Sequence, residues 1–176
     1  MKSAVANRVR AYVALGANIG EPVKHLRAAV DDMTALPDTL IVARSSLYRS
    51  APVGLLNQPD FINAVVALDT ALAPLALLRQ LLAIEARHGR VRSVPNAPRT
   101  LDLDLLLHGD AIMASAELTL PHPRMHERAF VLLPLAELAP TSIDTWNRLV
   151  HPDDLATSLL ARHRHFAGEL PIYECE

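Results

Sequence analysis

Asn96-Ala97-Pro98-Arg99-Thr100-Leu101-Asp102-Leu103-Asp104-Leu105-Leu106-Leu107 is the stretch that decides how the rest of the chain is read. From Leu101 to Leu105 leucine alternates with other residues, and Pro98 before it and His108-Gly109-Asp110 after it mark the ends of one strand. Asp102 and Asp104 therefore share a face. At a rise of about 3.3 Å per residue their Cβ atoms stand roughly 6 to 7 Å apart, so both carboxylates can converge on one or two divalent cations. Aspartate is disfavoured in strands and like charges on one face repel, so the pair is either a solvated strand face or a site with compensating charge. What lies upstream favours the second reading: Arg87, Arg90, Arg92 and Arg99 form a basic stretch feeding a carboxylate strand. Carboxylates for Mg²⁺ beside arginines for phosphate oxygens are the parts that phosphoryl transfer requires.

Working outward, Arg8 to Gly16 alternates Val9, Ala11, Val13 and Leu15 with other residues and reads as a strand. Pro22 opens a helix with the apolar face Leu26, Ala29, Val30, Met33 and Leu36, stopped by Pro37. Thr39 to Tyr48 reads as a second strand, Ser50 to Pro59 as a loop and Asp60 to Thr70 as a third strand. A helix from Pro74 to His88 carries Leu75, Leu78, Leu82 and Glu85 along one line, with Gly89 just past its end. The resulting order, strand, helix, strand, strand, helix, strand, is the split βαβ arrangement: an α+β domain with a largely antiparallel sheet and both helices on one face. Beyond it, Leu118 to Leu120 reads as a short extended piece and Arg128 to Leu138 as a helix interrupted at Pro134. Asp153 to Phe166 reads as a last helix, and Gly168 to Glu176 as a tail. The expectation is a single domain over residues 1–176, with its core at about 8–140 and a C-terminal helix and tail at 141–176.

Composition narrows the function. A net charge of -2 gives no basic field for a nucleic-acid backbone, so the arginines are a local cluster suited to a small anion. The one cysteine, Cys175, excludes an internal disulfide and fits a reducing compartment. No run of about 18 apolar residues occurs and Asn7, Arg8 and Arg10 break up the N-terminus, so a soluble cytoplasmic protein is expected. There is no G-x-x-x-x-G-K-[ST], so a nucleotide would be held by Mg²⁺ on Asp102 and Asp104 and by the planar forks of Arg90, Arg92, Arg99 and Arg128. His122, fixed between Pro121 and Pro123, is either structural or a further ligand.

Six segments in order, Ala14-Leu15-Gly16-Ala17-Asn18, Tyr48 to Gly54, Gln58 to Ala64, Glu85 to Arg92, Pro98 to Asp104 and Leu120 to Phe130, resemble the 6-hydroxymethyl-7,8-dihydropterin pyrophosphokinases of folate biosynthesis. Pro98-Arg99-Thr100-Leu101-Asp102-Leu103-Asp104 is the most specific of them. The resemblance implies a ferredoxin-like fold and transfer of the β,γ-pyrophosphoryl group of ATP to the pterin hydroxymethyl oxygen, releasing AMP. It implies two Mg²⁺ ions on Asp102 and Asp104, and phosphate contacts from the catalytic Arg90 and Arg99. Glu85, Arg92, Arg99, Leu105, Thr119, His122 and Arg128 would line the ATP site. Ser50, Ala51, Val53, Phe61, Asn63 and Phe130 would hold the pterin, the flat ring stacking between the phenylalanines and the Asn63 amide meeting its edge. The chain departs from the family pattern at Asn96-Ala97, where Trp-Gly is common, and at Pro123, Ala17 and Phe61, where Tyr, Ser and Tyr are frequent. The partners expected are ATP and a reduced pterin, with no nucleic acid or membrane, and the protein is expected to be a monomer. Two rivals remain: a metal-dependent nuclease or nucleotidyltransferase built on the same D-x-D, and a regulatory small-molecule domain of the same fold.

Overall fold

The computed structural model describes residues 7–91, 95, 97–139 and 172–175. β1 (Val9–Ala17) leads into α1 (Pro22–Thr34), then β2 (Thr39–Arg44), β3 (Leu47–Ser50) and β4 (Phe61–Thr70). α2 (Pro74–Arg87) and β5 (Asp102–His108) follow, then the short strands β6 (Met113–Ala114) and β7 (Thr119–Leu120), a 3-10 turn at Met125–Glu127, α3 (Ala129–Leu138) and β8 (Ile172–Cys175). The main sheet runs β5-β1-β4-β3-β8, with β2 also on β4, and every pairing in it is antiparallel. Its first four positions are the split βαβ order expected from the sequence.

Proline stands at the start of both α1 and α2, where its missing N–H costs nothing, and neither N-terminus has a side-chain cap. Packing compensates. Leu26 and Met33 are 2% and 0% exposed. Burying one such side chain stabilises by roughly 1.5 to 3 kcal/mol, more than the ~1 kcal/mol that an absent cap costs.

Ala11, Val13 and Leu15 of β1, Ala64, Val66 and Leu68 of β4, and Leu103 and Leu105 of β5 face α1 and α2. Tyr12, Ala14, Val65, Ala67, Leu106 and Leu107 face the other way, onto Val131, Leu132 and Leu135 of α3. Leu106 and Leu107 share a cluster although adjacent, because the β1–β5 register shifts between Tyr12 and Val13. That bulge ends the alternation read from Leu101 to Leu105.

Four expectations change. Thr39 to Tyr48 is two strands, because Ser45 Oγ accepts the Val65 N–H at 2.9 Å in place of a backbone carbonyl and bends the chain. Glu137 of α3 then takes the next N–H, from Ser46, at 3.0 Å. α3 runs through Pro134 without interruption, held by the buried Val131, Leu132 and Leu135 around it. α2 buries Leu77, Leu81, Ile84 and Glu85 and leaves the line of Leu78 and Leu82 to a cavity, since leucines on several sides of this helix let periodicity point either way. The expected tail contains β8, paired antiparallel with β3 from Leu47↔Cys175 to Ser50↔Ile172. The helix expected at Asp153 to Phe166 lies outside the described residues. Among those described, no helix is long and apolar enough to cross a membrane.

Candidate active site

Asp102 and Asp104 lie on the α3 side of the sheet, opposite Gly16 and Ala14 of β1. Small residues there leave the sheet surface open beside the carboxylates: a Cβ added at Gly16 would come within 3.4 Å of Asn63 Oδ1 and 4.0 Å of Asp102 Cβ. Two cavities open from this floor. The larger, about 670 Å³, is walled by Leu78, Leu82, Glu85, Arg90, Leu105, Thr119 and His122. The smaller, about 420 Å³, is walled by Ser50, Ala51, Val53, Phe61, Arg99, Arg128 and Phe130. The residues common to both linings are Asp102 and Asp104.

The compensating charge that the carboxylate pair requires is present. Arg90 Nη1 and Arg99 Nη1 each donate to one oxygen of Asp102. Burial pushes the Asp102 carboxyl up, and the guanidiniums of Arg99 and Arg90 more than reverse this, leaving it below the usual carboxylate range. Arg90 is held from behind as well: Nη1 donates to Glu85 Oε1 at 2.8 Å and to the Leu101 carbonyl at 3.2 Å. Glu85 is 3% exposed, and its Oε1 also accepts the Leu103 N–H at 2.7 Å, so it braces both Arg90 and the start of β5. Arg90, at the start of the loop from Gly89 to Pro98, thus has partners before any ligand arrives. Arg92 and most of the centre of that loop lie outside the described residues.

Asp104 has a weaker partner, Arg128 Nη1 at 3.6 Å. Burial and the neighbouring Asp102 charge raise its pKa to about 6 against the pull of Arg128. His122 shifts the other way, to about 4, through burial and the Arg128 charge, so its imidazole is neutral at pH 7. The His122 backbone N–H donates to the Leu106 carbonyl at 2.9 Å, and the ring Nδ1 accepts the Arg124 backbone N–H at 3.2 Å.

A carboxylate whose folded pKa is raised costs stability where the folded group is ionised. The cost is absent below the unfolded value of 3.8 and fully present above about 6. Lowering the pH from 7.5 to 5 should therefore stabilise the metal-free protein relative to Asp104→Asn. With the side chain 34% exposed, solvent screening holds the expected difference to about 1 kcal/mol. Urea melts of both proteins at the two pH values check this, and a pH-independent difference would contradict it.

On the smaller cavity, the Arg99 guanidinium lies over the Phe61 ring at 5.8 Å and that of Arg128 over Phe130 at 5.9 Å. Arg99 and Arg128, expected at a nucleotide, stand on the same side as the residues expected at the pterin. Asn63 is buried beneath this cavity, its Nδ2 donating to Ser50 Oγ at 2.9 Å. Sequence reasoning missed Asn18, except as part of a matching segment. It is buried, its Oδ1 accepts the Arg99 N–H at 2.9 Å, and its Nδ2 donates to Gln58 Oε1 and the Pro59 carbonyl, each at 2.9 Å. One side chain thus joins the loop before Phe61 to the loop bearing Arg99. The available signal was an amide at the end of β1, where no ladder pairing occupies it. Arg124 and Glu127 also line the smaller cavity and were not anticipated.

Residues 12–140 match the family profile described as 7,8-dihydro-6-hydroxymethylpterin-pyrophosphokinase, HPPK. The chain belongs to that family. It is an ATP-dependent pyrophosphotransferase of folate biosynthesis with a hydroxymethyl dihydropterin as acceptor. Among its relatives is the 2-amino-4-hydroxy-6-hydroxymethyldihydropteridine pyrophosphokinase of Pseudomonas aeruginosa, 54% identical over 74% of this chain and 81% of that one. The enzyme of the same name from Haemophilus influenzae is 47% identical over 74% of this chain and 82% of that one. The fold is shared with wild-type Plasmodium falciparum HPPK-DHPS, crystallised with pterin and p-hydroxybenzoate, at a TM-score of 0.65 and 13% identity. That alignment covers 96% of this chain and 44% of the larger one, so the present chain spans less than half of that protein.

Proposed function

We propose that ATP occupies the larger cavity and the reduced pterin the smaller, so that triphosphate and hydroxymethyl oxygen meet over Asp102 and Asp104. The observation that carries this is the lining of the two cavities, which have these two carboxylates in common. Leu78, Leu82 and Leu105 give the larger one apolar walls for a flat base, and Thr119 and His122 give it polar groups. Glu85 belongs to the same nucleotide side, and Arg92 is assigned to ATP from the sequence pattern alone. Arg99 and Arg128 reach the phosphates from the pterin side. Phe61 and Phe130 take the pterin ring between them, with Ser50, Ala51, Val53 and Asn63 around its edge.

Among the described residues no group of three or more His, Cys, Asp or Glu forms a metal cage. A pair of carboxylates is nonetheless what Mg²⁺ commonly takes from protein, the rest of its shell coming from phosphate oxygens and water. The donor set therefore fits, and Asp102 and Asp104 would hold two Mg²⁺ ions accompanying ATP. Bound there, the metal neutralises charge on the transferring phosphoryl oxygens.

The chain's own part is to place the acceptor oxygen against the β-phosphorus. The new O–P bond forms as the bond to the oxygen bridging the α- and β-phosphorus breaks. The hydroxyl proton passes to water, and AMP leaves with the bridging oxygen. Arg90 and Arg99 shift from Asp102 toward the phosphates, where negative charge accumulates. The enzyme is assigned to the cytoplasm as a monomer, one domain over residues 1–176 acting on two small molecules.

Product analysis after incubation with ATP, Mg²⁺ and hydroxymethyl dihydropterin tests the reading: AMP and pterin diphosphate are expected, and ADP or no turnover would overturn it. The Asn18 bridge adds a second test. Asn18→Ala removes the buried amide that accepts from the Arg99 N–H and donates to Gln58 and Pro59, a loss of about 1 to 3 kcal/mol. It should weaken a non-hydrolysable ATP analogue and the pterin together, measured by separate titrations. Loss of one ligand alone would mean that the bridge does not serve both cavities.

A further inference from the structure

We propose that His88 and Asp32 are positioning residues for Arg90, acting through the C-terminal cap of α2; the proposal rests on the assignment of Arg90 to the phosphates. Arg90 is not on a free loop. Gly89 has φ +73, its N–H bonds to the Ala86 carbonyl at 3.1 Å, and the Arg90 N–H bonds to the Glu85 carbonyl at 3.1 Å. These are the two bonds of a Schellman cap, with Gly89 in the left-handed position and Arg90 just after it. The Arg90 side chain then turns back to Glu85 Oε1 and on to Asp102. Where the guanidinium sits is therefore fixed by where the last turn of α2 sits.

Little apolar contact fixes that turn. Ile84 is the last fully buried hydrocarbon side chain of α2, and Ala86, Arg87 and Gly89 are exposed. Besides Glu85, whose Oε1 accepts the Leu103 N–H, a second tie crosses to α1: His88 Nε2 donates to Asp32 Oδ2 at 2.9 Å. Arg87 Nη2 lies 3.5 Å from the same oxygen, and the His25 ring meets the His88 ring edge-on at 6.1 Å. The His88 side chain is only 14% exposed, so this bond is shielded more than an ordinary surface pair. Helix termini fray when their end groups lack partners, and misplacing a catalytic group by about 1 Å can cost up to about a hundredfold in rate. The Asp32–His88 link therefore affects turnover more than it affects global stability.

The test is steady-state kinetics with both substrates varied, on His88→Leu, Asp32→Ala, His88→Gln and Arg90→Ala, each with a melting curve. His88→Leu and Asp32→Ala should lower kcat about tenfold with KM for ATP and pterin within about twofold, a fraction of the limiting cost of misplacement. His88→Gln, whose amide can still donate to Asp32, should recover most of the rate. Combined with Arg90→Ala, His88→Leu should add no further loss, as two changes acting on one group do not sum. A full tenfold loss persisting in the Arg90→Ala background would mean a merely structural role and overturn the proposal. So would normal turnover of His88→Leu beside a slow Arg90→Ala. Normal turnover of Arg90→Ala itself would remove the assignment of Arg90 and the proposal with it. If His88→Leu does not fold, Asp32→Ala and His88→Gln carry the same comparison.

Discussion

Replacing Asp102 or Asp104 by alanine should reduce turnover by about a hundredfold to a thousandfold, on the scale seen when one preorganised charge-stabilising group is removed. The two variants should differ in stability. Asp104→Ala removes a carboxylate that burial and the Asp102 charge already disfavour, so the protein should melt no lower than the parent at pH 7.5. Asp102→Ala removes the shared partner of two guanidiniums. Arg90 keeps Glu85 and the Leu101 carbonyl, and Arg99 keeps the Ala97 carbonyl at 3.3 Å and the face of Phe61. Those remaining partners limit the loss to about 1 to 3 kcal/mol, which leaves a folded protein. Activity against Mg²⁺ concentration, with thermal melts alongside, checks both statements. A folded variant of either kind with near-normal turnover would remove these carboxylates from the reaction.

The same strand shows what sequence makes legible. Alternation from Leu101 to Leu105 revealed both the strand and the shared face of its aspartates, because β5 is buried there on one face and open to the site on the other, which imposes a period of two on the residues themselves. Leu106 and Leu107 escape that logic, since a bulge is decided by the partner strand. The break between β2 and β3 escapes it too: Ser45 imitates a ladder carbonyl with its hydroxyl, and nothing in a serine's neighbours announces this. β8 pairs with a strand more than a hundred residues earlier, and such long-range pairing leaves no local period.

The site was legible as residue types and less so as relationships. Glu85 was expected to line a nucleotide site. The structure adds that it is a buried brace, joining Arg90 to β5. Asn18 and the Asp32–His88 pair join segments 40 or more residues apart, and a chain read in order does not display such links.

Arg90→Ala is the variant that should separate binding from chemistry. In the free protein the Nη1 end of the guanidinium already has its hydrogen bonds taken by Glu85, the Leu101 carbonyl and Asp102. Giving one to a ground-state phosphate therefore exchanges partners and yields little net affinity. The balance shifts as negative charge builds on the transferring group, because only then does phosphate outcompete carboxylate for the fork. Turnover should fall by about a hundredfold or more, while the affinity for a non-hydrolysable ATP analogue changes by less than about fivefold. Stability should also fall, since the buried Glu85 carboxylate loses its Arg90 donor, a cost of about 1 to 3 kcal/mol. Rates must therefore be taken well below the variant's own melting point. Rapid-quench single turnovers isolate the chemical step from product release. If that step runs at the parental rate and analogue binding is what collapses, Arg90 serves the ground state, and the exchange of Asp102 for phosphate is not part of catalysis.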